Sequence, residues 1–188
     1  KKSTGADVIL LSISGKDTSG VTAALTTILS QYNADILDIG QAVIHDTLSL
    51  GILFRLPKTG ISGPVLKELL FKAYEFDINA RFTPIDDETY ESWVQNQGKK
   101  RYILTIFGRH IEARYLAEIT AVLFEQRLNI DNITRLSGRV SFREEDQSKN
   151  RACVELSVRG TPIDEKKMKE SFMEISKRIG FDLAFQED

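Results

Sequence analysis

The two halves of this sequence run through the same six short elements in the same order, and such an internal repeat decides the architecture before any single residue does. In the first half, residues 8–14 (VILLSIS) are an apolar, β-branched run that reads as a strand. A polar loop bounded by Gly15 and Gly20 follows. Val21, Ala24, Leu25, Ile28 and Leu29 then recur at helical spacing. A second strand is predicted over 35–45, through Ile39 and Val43. Leu48, Leu50, Ile52, Phe54 and Leu56 fall on every second residue, with Ser49, Gly51 and Arg55 on the other face, which predicts a half-buried third strand. Residues 57–64 are turn-rich. Val65, Leu66, Leu69, Leu70 and Ala73 form a second helical stripe, and Ile78, Ala80 and Phe82 close with a fourth strand.

The second half repeats the series. Residues 101–107 (RYILTIF) form a strand ending on Gly108, as the first ends on Gly15. Tyr115, Leu116, Ile119, Val122 and Leu123 are a helical stripe. Residues 129–140 are read as the second strand, with Asn129-Ile130-Asp131 echoing Asn33-Ala34-Asp35. The segment 141–150 is a charged loop. Ala152, Val154, Leu156 and Val158 alternate, and Met168, Phe172, Ile175 and Ile179 lie on one helical face. Phe181-Asp182-Leu183 echoes Phe76-Asp77-Ile78 before the last strand. Each half is thus a split β-α-β unit of the α+β class, ferredoxin-like, with a four-stranded antiparallel sheet and two helices on one face. The expected division is a first domain over 1–83, a polar linker over 84–98 and a second domain over 99–188. Trp93 is the linker's one large apolar residue and is expected to anchor a helical turn.

Composition excludes several functions. A net charge of -2 with dispersed charges gives no basic stripe for nucleic acid. No apolar run reaches the roughly 18 residues that span a bilayer. One cysteine, Cys153, rules out an internal disulfide framework and points to a reduced, cytoplasmic compartment. The opening Lys1-Lys2 lacks an initiator Met and an apolar signal core, as expected of a processed or partial chain. His45 and His110 are too few for a metal site and read as surface residues. Cys153 reads as a strand thiol facing away from the Val154 side. Asp86 and Asp87 read as solvated. Nothing assembles a nucleophile, an acid and a base, so a binding module is favoured over an enzyme.

The informative segment is 15–22 (GKDTSGVT), which carries a strand into a helix N-terminus. Free N–H groups there suit an anion such as an α-carboxylate. Gly15 is read as allowing a sharp turn, Gly20 as letting a ligand approach the backbone, and Asp17 as an acceptor for an α-ammonium group. The alternative, equally weighted, is that Asp17, Thr18 or Ser19 merely caps the helix. The polar starts of the two second strands, Asn33-Ala34-Asp35 and Asn129-Ile130-Asp131-Asn132, are read either as a pocket wall or as turns.

These residues carry a resemblance. The loop GKDTSGVTAAL followed by ADILDIGQAVIHDTLSLGIL resembles the ACT domain, an amino-acid-sensing module of metabolic enzymes. The tandem copies, VIHDTLSLGILF and the ending FDLAFQED resemble the N-terminal regulatory region of bacterial phosphoserine phosphatases. The resemblance implies a ligand site drawing on Gly15, Asp17, Gly20, Val21, Thr22, Asp131 and Asn132, with L-serine, the pathway product, as ligand. It implies a C-terminal phosphatase domain of the same polypeptide using Mg. A homodimer is expected on separate grounds, because four-stranded sheets with helices on one side leave an open face and edges to bury; the alternative is that the two repeats cover each other within one chain. The D-x-D-x-[TV] nucleophile motif of that catalytic domain is absent from the sequence, so the resemblance covers the regulatory part alone and no phosphatase activity is expected of it. The second repeat has no counterpart of Gly20 in GRHIEAR (108–114), which implies one competent site per tandem pair. Two alternatives remain: a freestanding tandem-ACT regulator working by protein contact, like the glycine cleavage system regulator, and a module that only dimerises its partner.

Overall fold

A computed structural model of the chain describes residues 7–57, 60–139 and 151–188. The chain divides into two units, Lys1–Val94 and Gln95–Asp188. The expected 141–150 loop, and the end of the strand predicted to reach Val140, lie outside the described residues.

In the first unit, β1 (Asp7–Lys16), α1 (Val21–Gln31), β2 (Asp35–Ile44), β3 (Thr47–Leu56), α2 (Ser62–Glu75) and β4 (Asn79–Ile85) follow in order. The sheet order is β2-β3-β1-β4, antiparallel throughout. β3 is central, and its alternate residues Leu48, Leu50, Ile52, Phe54 and Leu56 are all buried, as the alternation predicts. Val21, Leu25, Ile28 and Leu29 of α1 and Val65, Leu69 and Ala73 of α2 close the core over that one face. Leu70 departs from its expected place and is exposed: the buried stripe of α2 is centred on Val65, Leu69 and Ala73, and Leu70 lies beyond its edge. β2 stops at Ile44, one residue short of the predicted end, because His45 takes φ 56 and turns a tight hairpin with Asp46.

In the second unit, β5 (Arg101–Gly108), α4 (Ala113–Glu125), β6 (Asn129–Arg135), β7 (Ala152–Arg159), α5 (Glu165–Ile179) and β8 (Asp182–Glu187) make the second copy, with sheet order β6-β7-β5-β8. Ile119, Leu123, Leu156, Val158, Met168 and Phe172 are at its centre. β6 ends at Arg135 because the next residues turn out of the ladder: the Leu136 N–H still donates to the Cys153 carbonyl at 2.9 Å, but the Cys153 N–H donates to the Ser137 hydroxyl at 3.1 Å.

The segment 84–98 holds more structure than a linker. Pro84 and Ile85 finish β4, and α3 (Asp87–Gln97) is a helix of three turns. Tyr90, Trp93 and Val94 are its only apolar side chains and none is buried, so the periodicity marks at most the one turn expected around Trp93. It starts because the Asp86 carboxylate accepts from the Thr89 N–H at 2.7 Å, and Asp87 and Glu88 place negative charge in its first turn. Asp86 is exposed, as expected, and in addition caps this helix. The Thr89 hydrogen bonds hold its carboxyl below the ordinary range. A depressed native pKa stabilises the fold above the unfolded pKa, and that contribution disappears as pH falls through the native pKa. Asp86→Ala is expected to lower the melting temperature at neutral pH, with the gap to wild type closing in acid. Melting curves across that range check it, and a gap that persists below the carboxylate range would contradict it.

Candidate functional site

The β1–α1 connection places the first-unit candidates together. β1 carries Gly15, the loop 17–20 carries Asp17, and Gly20 is the N-cap of α1 with φ 90 and ψ -3. That left-handed conformation suits glycine, and a Cβ added there would meet nothing within 4 Å. No side chain caps α1, so Asp17, Thr18 and Ser19 do not cap it, and its first-turn N–H groups lack a capping acceptor. Val21 is buried and fixes the helix to the core, while Thr22 is half-buried beside it.

Two elements border this helix end. The Thr22 hydroxyl meets the Gln41 side-chain oxygen of β2 at 2.5 Å. The Asp17 N–H donates to the Asp46 carbonyl in the β2–β3 hairpin at 2.7 Å, which ties the loop down. His45 hydrogen-bonds Asp46 at 2.8 Å and holds its carboxyl below the ordinary range. The Asp17 carboxylate is exposed and has no hydrogen-bond partner among the described residues. Gln41 and Asp46 were missed by sequence reasoning. Only the register of β2 brings them to the helix end, and no local motif marks them.

Gly15 has a different role from the one expected. It is paired with Leu48 inside the sheet and is not at a sharp turn. A Cβ there would lie 2.9 Å from Ile78 Cγ2 and 3.2 Å from Ile78 Cα, so the missing side chain makes room for the core.

Asp131 and Asn132 belong to the second unit, on the edge strand β6. Asp131 accepts from Arg159 at 3.0 Å, and Asn132 donates to the Thr134 hydroxyl at 3.2 Å. Asp131 is thus engaged in its own unit, with its side chain 30 % exposed. Register corrects the echo between the repeats. Asp35 pairs with Arg55 and Asn129 with Arg159, each just before a bulge at Ile36/Asp38 and Ile130/Asn132. Asn129 therefore corresponds to Asp35, and Asn132 to Asp38. The left-handed Asn33 (φ 53) corresponds to Arg127 (φ 56), so Asn33-Ala34 is the turn into β2, as one of the two readings has it.

The β5–α4 loop of the second unit differs chemically. Its helix is N-capped by Glu112, in extended conformation, in place of a left-handed glycine. Glu112 accepts from Arg114 at 2.8 Å and meets His110 at 3.0 Å; His110 first, then Arg114, hold its carboxyl below the ordinary range. A resident carboxylate at this helix end works against a second anion. Among the described residues no three of His, Cys, Asp or Glu are grouped to hold a metal ion, and no helix is long and apolar enough to cross a membrane.

Residues 7–83 match the ACT domain family. The phosphoserine phosphatase of Streptomyces coelicolor is 31% identical over 130 residues, a match covering 69% of this chain and 30% of that protein. The chain therefore spans under a third of that relative's length. Two solved structures share the fold along nearly the whole chain. A protein of unknown role from Galdieria sulphuraria has a TM-score of 0.77 at 14% identity, covering 97% of this chain and 99% of that one. A candidate glycine cleavage system transcriptional repressor has a TM-score of 0.63 at 13% identity, with the same coverage.

Proposed function

Residues 7–83 are an ACT domain, and from that premise we propose that the chain is the amino-acid-sensing part of a phosphoserine phosphatase, with L-serine as its ligand. The observation that carries the reading is the end of α1: a glycine N-cap without a capping side chain, beside a carboxylate that no described residue engages. The first-turn N–H groups of Val21 and Thr22 take the ligand carboxylate. Asp17 takes the ammonium group through a charge-assisted bond. Gly20 keeps the approach open. Asp131 and Asn132 are further ligand-binding residues in this reading, offered by the second unit, and Gly15 acts indirectly by letting Ile78 pack against β1. The partial similarity to the Streptomyces coelicolor phosphoserine phosphatase supports the choice of parent enzyme. In this reading the phosphatase domain lies C-terminal in the same polypeptide, holds the Mg ion and works in the cytoplasm.

Self-association belongs to the same reading. β2 is an edge strand with exposed Ile36, Ile39, Val43 and Ile44, and pairing with a second copy covers that edge in a homodimer.

Two results test the proposal. The gene downstream of Asp188 is expected to encode a D-x-D-x-[TV] motif; a stop codon there removes the phosphatase parent. Equilibrium dialysis is expected to return one L-serine per chain, because the equivalent helix end starts on Glu112, whose negative charge opposes a second carboxylate, and lacks the glycine of the first. Two per chain would show that Glu112 does not exclude the ligand.

A further inference from the structure

Helix α2 has two apolar stripes where its fold needs one. Val65, Leu69 and Ala73 face the core. On the opposite side Leu70 is 49%, Phe71 60% and Tyr74 84% exposed. With fully exposed aromatic side chains near 150–250 Å² each, these three present on the order of 400 Å², about half of one partner's share of a standard interface. The fold does not demand this. The corresponding helix α5 (EKKMKESFMEISKRI) is charged on its outer side, and Met173 is its one large apolar residue exposed there.

We propose that this face of α2 is a self-association surface whose occupant is α2 of a second copy, packed antiparallel about a two-fold axis through Phe71. The charges select that occupant. Lys67, Phe71 and Glu75 stand at i, i+4 and i+8, on one row of the helix. A two-fold axis at Phe71 places Phe71 against itself and Lys67 against Glu75 of the second copy, twice over, so the face is complementary to itself. Lys67 already lies over the Phe71 ring at 5.8 Å, and Glu75 is held by Lys72 at 2.6 Å, so both charges border the aromatic centre. Beside it runs a groove of about 540 Å³ between α1 and α2, lined by Ala23, Ala24 and Thr27 on one side and Phe71 and Glu75 on the other. The α1 wall, VTAALTTILSQ, contains no charged residue, and the charges of the α2 wall are already partnered, Glu68 by the Tyr32 hydroxyl at 2.7 Å and Glu75 by Lys72. This surface shares no residue with the β2 edge or with the proposed ligand site.

Sedimentation equilibrium of the whole chain tests the assignment, with circular dichroism to confirm folding; the residues changed are exposed, so folding should survive. Phe71→Asp combined with Tyr74→Asp is expected to weaken association at least about tenfold, as removal of central aromatic anchors does. Lys67→Glu alone should weaken it and make it stronger in high salt, because it sets like charges face to face. Lys67→Glu with Glu75→Lys should restore association. Ile44→Lys, on the β2 edge, should leave the α2-dependent step intact. A chain that is monomeric at every concentration overturns the proposal. So does association indifferent to the Phe71 and Tyr74 changes, or a charge swap that behaves no better than Lys67→Glu alone.

Discussion

Gly108→Ala is expected to destabilise the second unit by about 3 kcal/mol, at the upper end of what overpacking a core costs. Gly108 ends β5, and a Cβ built on it would sit 1.9 Å from Phe181 Cδ1 and 2.1 Å from Cε1. No real contact is that short, so the ring must move. Phe181 is buried, and its ring meets Tyr115 edge-on with centroids 4.9 Å apart. Moving it disturbs the core between α4 and β8. The matching change in the first repeat, Gly15→Ala, meets Ile78 Cγ2 at 2.9 Å and the Ile78 Cα at 3.2 Å, a milder clash than a ring at 1.9 Å, and should cost less, about 2 kcal/mol. Guanidinium denaturation followed by circular dichroism ranks the two. Gly108→Ala with Phe181→Leu should recover part of the loss, because the smaller side chain vacates the space the new methyl needs. Equal costs at Gly15 and Gly108 would contradict this account.

The second large effect is on binding. Asp17→Ala is expected to weaken L-serine binding about ten- to hundredfold, the cost of one charge-assisted hydrogen bond to a ligand ammonium. Its melting temperature should stay at the wild-type value. Asp17 holds the fold through its backbone N–H to the Asp46 carbonyl, which alanine retains, and its side chain caps nothing. A helix cap would behave in the opposite way, and the structure contains such a case in Asp86.

The repeat was legible because strand alternation and helical spacing are properties of the local sequence. Leu48 to Leu56 and Met168 to Ile179 follow their periods without interruption. What escaped depends on pairing over distance. The roles of Gly15 and Gly108 rest on Ile78 and Phe181, which the order β1-β4 and β5-β8 brings alongside them. The echo between Asn33-Ala34-Asp35 and Asn129-Ile130-Asp131 misled by two positions. Polar residues cluster at turns and at strand starts alike, and only the partners Arg55 and Arg159 distinguish them. Helix α3 escaped because capping and charge start it, with no buried stripe to announce it. At the candidate site the loop was legible as a glycine-bounded polar segment, but Gln41 and Asp46 were not, since both arrive through the β2 register and its hairpin.

Calorimetric titration of L-serine into wild type, Asp17→Ala, Asn132→Ala and Asp86→Ala, each with a melting curve, tests the account most directly. Saturable binding by wild type is expected, with affinity reduced in Asp17→Ala and Asn132→Ala and melting temperature unchanged in Asp17→Ala. Asp86→Ala should melt lower and bind as wild type does. No heat from wild type would remove L-serine as the ligand. Wild-type affinity in both Asp17→Ala and Asn132→Ala would place the ligand away from the β1–α1 loop and contradict the proposed site.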